Sequence, residues 1–310
     1  MTASSASVRR RLVGAVVIAT SLIWAAFLLA DAWDMAALRR LSPSPLGSAL
    51  AFLLAAASML VAFPAFWCLV RGISSRAPPF REMLRLHFLA QLMRHVPGRF
   101  LGVAYQIAAA RHLASGSQWV GANIAHMGLA LWFSAILPLV LLWSVGRLAS
   151  TVAASAIALL IVGPWLLIRL VDRLLLFQPK WTLISRVMGV IGALGTCVRS
   201  SEFPRSLVWF SASWVIYAYA WMALGASIAG VSAIDGLVLC AFYSLAWALG
   251  FLVVVTPSGL GVRELAFAAL ASDYNPELVV YVALVARLGL LSADVLLGML
   301  SLLFGRVRHV

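Results

Sequence analysis

"TPSGLGVRELAF", residues 256–267, lies between the apolar run Leu245–Val255 and a second that begins at Leu265. It places a proline, two glycines, an arginine and a glutamate where the flanking hydropathy predicts lipid contact. An arginine at the bilayer centre costs about 2.5–3.5 kcal/mol on the insertion scale and a helix-interior proline about 3, whereas each Leu or Val returns about 0.3–0.6. Several apolar neighbours would be needed to offset each defect, so an uninterrupted lipid-facing helix is a poor reading. A break shielded by protein, or lining a wet cavity, lets the freed backbone groups find partners.

The rest of the chain places this break inside a membrane. Of its 310 residues 64% are hydrophobic and 11% charged, against roughly 25% charged in a soluble domain. The expected fold is all-α, a polytopic integral membrane bundle of about 7–8 spanning helices, each needing about 20 apolar residues. Spans are predicted near 12–30, 46–70, 117–144, 147–171, 206–230, 234–255 and 276–304, within a single domain over 1–310. The first imitates a secretory signal at Ala30-Asp31-Ala32, but its length favours a retained anchor.

The net charge of +13 does not point to nucleic acid, because the arginines collect at the ends of apolar runs. Arg9–Arg11 precede the first span, Arg71, Arg76, Arg81 and Arg85 follow the second, and a third group runs from Arg169 to Arg205. The positive-inside rule makes these cytoplasmic, together with both termini, and the expected location is the cell inner membrane. The loops 230–235 and 273–277 contain no Lys or Arg and are assigned to the outside. Residues 181–198 carry three glycines and Arg186 and read as an interfacial cytoplasmic helix.

A second interruption resembles the first. Residues 84–96 place Leu84, Phe88, Leu92 and Val96 on one helical face, with Arg85, His87, Gln91, Arg94 and His95 elsewhere. That helix stops at Pro97-Gly98, and a short helix over 100–113 follows from Arg99. The segment 262–272 is equally short, rising about 16 Å, half a hydrocarbon core. A helix starting at Val262 directs unpaired N–H groups and the positive end of its dipole toward what precedes it, where anions bind. Arg263 adds a full charge, and Glu264 either balances an arginine or exchanges a proton. Two broken or re-entrant helices in corresponding halves are the pattern of a transporter built from an internal repeat. The halves would be 1–171 and 206–310, joined by 172–205.

PSGLGVRE, preceded by Trp247-Ala248-Leu249-Gly250-Phe251 and followed by Arg287 in "ALVARLGLLSAD", resembles the C-terminal signature of the lysylphosphatidylglycerol synthase transmembrane-region, or flippase-like, family. HVPGRFLG, with Arg111 downstream, is similar to that family's first motif. The resemblance covers most of the chain. It implies a lipid headgroup site formed by Pro97, Gly98, Arg99, Arg111, Pro257, Gly259, Gly261, Arg263, Glu264 and Arg287. Where family members often carry a glutamate after the first motif, the best-aligned position here is His126, which stands beside Glu264 as a proton-coupling residue. No stretch has the composition of the aminoacyl-transfer domain of the lysyl-lipid synthases, so lysyl transfer is not expected.

The expected function is a flippase that binds an anionic phospholipid or lipid-linked intermediate at the two breaks and moves it between leaflets. The alternative is a non-transporting accessory subunit of a glycan, hopanoid or aminoacyl-lipid pathway; a homo-oligomer or a lipid-biosynthesis enzyme is the protein partner compatible with either. An enzyme acting on headgroups is disfavoured, since the sequence has no nucleotide-binding loop, nucleophile elbow or paired carboxylates in one loop. No cofactor is expected, and no metal, because His126 has no correctly spaced second ligand. The cysteines at 68, 197 and 240 have no motif spacing. Arg287 and Asp294 share a helical face two turns apart, and each is expected to meet another helix.

Overall fold

The computed structural model describes residues 41, 44–74, 78–93, 101–175, 182–252 and 261–304. The expected first span, 12–30, lies outside them. The described chain forms ten α-helices: α1 Pro45–Arg71, α2 Phe80–Met93, α3 Leu101–Ala109, α4 Gly116–Ser144, α5 Ser150–Leu175, α6 Thr182–Arg199, α7 Phe203–Ser227, α8 Ala233–Leu252, α9 Val262–Leu270 and α10 Pro276–Ser301, the last running into a 3-10 turn, Leu302–Phe304. No strand occurs among the described residues. Five helices, α1, α4, α7, α8 and α10, are long and apolar enough to cross a membrane. The protein is an all-α, multi-pass membrane bundle. The segment predicted to span over 147–171 is α5, which leaves Ile157, Ile161, Leu166 and Leu170 exposed.

Local chemistry sets the helix starts. Ser44 precedes Pro45 and its hydroxyl accepts from the Gly47 amide at 3.2 Å. Ser115 and Gln118 cap α4 reciprocally, and the Asn275 side chain accepts from the Glu277 amide at 2.8 Å beside Pro276. Each bond satisfies an amide the first turn would otherwise leave without a partner.

The two ends of the bundle differ in charge. At one, Arg71 and Arg205 converge on Glu202, Arg199 meets Asp172, and the Gln118 side chain donates to the Ile73 carbonyl at 2.8 Å. Arg81 and Arg111 belong to the same end, since Glu82 contacts His112 at 3.1 Å. At the other, the Ser44 amide donates to the Ser227 carbonyl, Arg147 meets Asp273 and the Tyr274 hydroxyl donates to Asp235. The first is the arginine-rich end, the second the acidic end. Helix α6 places its second half at the arginine-rich end, where the Cys197 thiol donates to the Leu69 carbonyl and Ala193 abuts Gly121.

The directions of the helices recur upside down. Helix α1 runs from the acidic to the arginine-rich end, and α7 runs back along its whole length, Gly47 against Ser227 and Arg71 against Glu202. After α1 the chain makes the α2–α3 pair at the arginine-rich end and returns through α4. After α7 it makes the α8–α9 pair at the acidic end and returns through α10. Helix α2 packs on α10, and α8 packs on α4, so the two units interlock. Among the described residues this path is traced over 45–144 and again over 203–301, with α5 and α6 between them.

Candidate functional site

Both interrupted segments are bounded by helices that lie side by side. In a continuous helix Gly250 and Arg263, thirteen positions apart, would be separated by about 20 Å. Instead a Cβ on Gly250 would lie 3.1 Å from the Arg263 Cβ. Farther along, Phe267 meets Tyr243, ring centroids 5.4 Å apart. As numbering rises in α9 its partners fall in α8, so α8 and α9 form an antiparallel hairpin. The α2–α3 pair does the same: a Cβ on Gly102 would lie 2.5 Å from the Ala90 carbonyl oxygen, and His112 reaches back to Glu82. At Gly102 an added side chain would strike the Ala90 backbone, whereas at Gly250 it would press on the Arg263 side chain. Helices α3 and α9 stop at Ala109 and Leu270, before the predicted 113 and 272, because each gives way to the turn leading into the next capped span.

The predicted site residues divide accordingly. Pro97, Gly98, Arg99, Pro257 and Gly259 lie outside the described residues. Arg111 is exposed in the turn after α3. Gly261, Arg263, Glu264 and Arg287 come together. Gly261, with φ of +83°, adopts a left-handed conformation that a side chain would disfavour. Its amide donates to Glu264 Oε2 at 2.8 Å, while Glu264 Oε1 accepts from Arg287 Nη1 at 2.7 Å. One carboxylate thus closes the first turn of α9 and clamps it to α10. The Arg263 guanidinium carbon sits 4.0 Å above the Tyr243 ring, a cation–π contact. The cluster brings two guanidinium groups and one carboxylate to the start of α9. The Tyr243 hydroxyl is buried with no hydrogen-bond partner among the described residues.

His126 is half-buried on α4, and its ring meets Phe66, Phe210 and His87 at centroid distances of 5.3, 5.4 and 5.6 Å. His87 corrects the sequence reading: placed off the apolar face of its helix, it is only 4% exposed. Helix α2 is covered by α1 and α10 together, so its buried face is wider than the stripe Leu84–Phe88–Leu92. Among the described residues no group of three His, Cys, Asp or Glu is arranged to hold a metal. Asp294 is buried, two turns beyond Arg287 on α10. The cysteines at 68, 197 and 240 are buried free thiols.

Sequence reasoning missed Tyr243, Gly250 and the nearness of His87 to His126. Gly250 and Tyr243 are seven apart on α8 and therefore share a face, the only local signal that both meet α9. Comparison with protein-family models, with curated proteins and with solved structures finds no match to this chain.

Proposed function

We propose that this protein is a lipid translocator, which binds an anionic phospholipid or lipid-linked headgroup at its hairpin helices and moves it between leaflets. The observation that carries the reading is the cluster of Gly261, Arg263, Glu264 and Arg287. Arg287 lies eleven residues into α10, about 16 Å from its start and so near half the depth of a hydrocarbon core. Charge at such depth is expensive and is found where it handles a substrate or ion. The two guanidinium groups, the first amides of α9 and the buried Tyr243 hydroxyl together suit a phosphate.

An incoming phosphate competes with Glu264 for Arg287, so binding loosens the clamp between α9 and α10 and couples headgroup capture to hairpin movement. Protonation of Glu264 would have the same effect, which gives it the proton-coupling role; His126 lies in the other half of the bundle. No covalent step is involved. The upside-down recurrence of 45–144 in 203–301 fits alternating exposure of one site to two leaflets. It also fits the resemblance to the flippase-like family. The arginine-rich end is assigned to the cytoplasm of a cell inner membrane on charge alone.

The test is exchange of fluorescent phosphatidylglycerol between leaflets of proteoliposomes. The expected result is exchange by the parent protein and its loss in Arg263→Ala. Lipid binding without exchange would favour an accessory subunit that presents a lipid to a partner enzyme. Headgroup cleavage or transfer by the purified protein would replace the reading with an enzymatic one.

A further inference from the structure

We propose that the seam between α9 and α10 is the portal that opens to admit the headgroup, while the corresponding seam between α3 and α4 stays shut and serves as the hinge. The contacts carry this inference, and only the identity of what enters rests on the function proposed above. The upside-down recurrence gives each unit one such seam, where the short helix of a hairpin meets the span that follows it. Helix α2 packs on α10 and α8 on α4, so α2, α3 and α10 form one body and α4, α8 and α9 another. The two seams join these bodies, and their fastenings differ.

The α3–α4 seam is closed by uncharged bonds in a dry setting. Asn123 Nδ2 on α4 donates to Gln106 Oε1 on α3 at 2.8 Å, and the Trp119 indole donates to the Ala110 carbonyl, just beyond α3, at 3.2 Å. Gln106 is 1% exposed, and Trp119 and Ala110 are fully buried. Opening this seam would strip buried polar groups of their partners, at about 1–3 kcal/mol each. An anion would not replace those partners, since an amide pair offers no countercharge to offset the loss of its hydration.

The α9–α10 seam is closed at its deep end by Glu264 and Arg287, whose side chains are 30% and 40% exposed. Toward the acidic end the same two helices are joined by apolar packing, with Phe267, Ala271 and Val279 in one buried cluster. The ion pair is the fastening that can be exchanged. A guanidinium holds a carboxylate or a phosphate in the same forked geometry, so Arg287 can pass from Glu264 to a phosphate without being left bare in the membrane. Helix α9 stays intact on release, because the other oxygen of Glu264 caps its first turn through the Gly261 amide.

The experiment is hydrogen exchange read by mass spectrometry in lipid nanodiscs, comparing amides 265–270 of α9 with amides 105–110 at α3. In the parent, α9 is expected to exchange about tenfold faster than α3, and phosphatidylglycerol should speed α9 further relative to phosphatidylcholine while α3 is unchanged. Arg287→Gln should speed α9 by about tenfold in phosphatidylcholine, and Arg287→Lys, which keeps a charge for Glu264, should restore most of the protection. Asn123→Ala should loosen α3 alone. Equal exchange of the two helices in the parent, no change of α9 in Arg287→Gln, or a like response of both helices to it overturns the inference. Should that variant fail to fold, the parental comparison decides. Phosphatidylglycerol separates the two proposals. If Arg287→Gln loosens α9 but the lipid does not, the seam stands and the translocator reading loses its release step; if the lipid loosens α3 and α9 alike, the headgroup reading survives and the seam falls.

Discussion

The clamp between Glu264 and Arg287 makes a quantitative prediction. The contact is 2.7 Å, with side chains 30% and 40% exposed respectively. A unit-charge pair about 4 Å between centres gains roughly 4 kcal/mol at an effective dielectric near 20, whereas fully water-exposed pairs yield about 0.2–1. Desolvation takes back part of the larger figure. A coupling of about 1–3 kcal/mol between Glu264→Gln and Arg287→Gln is therefore expected. The cycle is needed because Glu264 also accepts from the Gly261 amide, so its single substitution weakens the α9 start as well. The assay is denaturant unfolding in lipid nanodiscs of the parent, both single variants and the double variant. Each single variant should be less stable than the parent, and Arg287→Gln should leave the second substitution nearly free of further cost beyond the lost cap. A coupling below about 0.3 kcal/mol, within the additivity of independent sites, would refute the clamp and with it the proposed competition between Glu264 and a phosphate.

The hairpins, the arginine-rich end and the acidic end each supply a further expectation. Gly102→Ala should destabilise by about 1–3 kcal/mol, because its Cβ would lie 2.5 Å from the Ala90 backbone oxygen, and Gly250→Ala, at 3.1 Å from a side-chain atom, should cost less; the reverse order in thermal unfolding would contradict the antiparallel contacts. Glu202→Gln removes the charge shared by Arg71 and Arg205 and should lower stability by about 1–2 kcal/mol, with a salt dependence weaker than the parent's, and an unchanged unfolding midpoint would refute the hub. Burial first, and then the bond to Asp235, push the Tyr274 phenol up from 10.0 to about 12. The folded state therefore holds this proton more tightly than the unfolded chain, and the stability it confers is intact below pH 10.0 and lost as pH rises toward about 12. Tyr274→Phe should flatten unfolding midpoints measured across that window, and an unaltered slope would count against the bond.

Much of the fold is legible along the chain because its punctuation is local. Ser44-Pro45, Ser115 with Gln118, and Asn275-Pro276 start helices through bonds to amides two or three residues away, and the spans that follow begin within a residue or two of the expected positions. The sense of the two interruptions is not local. A Pro-Gly pair permits a kink or a full reversal, and what distinguishes them is contact between residues twelve or thirteen apart, Ala90 with Gly102 and Gly250 with Arg263. His87 is buried for a related reason, since a helix packed on two sides covers residues that a single apolar stripe leaves out. In the candidate site, Glu264 and Arg287 stand out as charges in an apolar setting. Tyr243 does not, because an aromatic residue in an apolar helix carries no mark of the cation that will sit on its face.

The upside-down kinship of 45–144 and 203–301 bears on biogenesis. A bundle whose halves trace similar paths in opposite senses offers the insertion machinery little shape by which to tell top from bottom. By the positive-inside rule Arg71, Arg81, Arg111, Arg199 and Arg205 would then be the plumb line of the molecule, and relocating a few of them to the Asp235–Asp273 rim is expected to leave nascent chains threading in both senses.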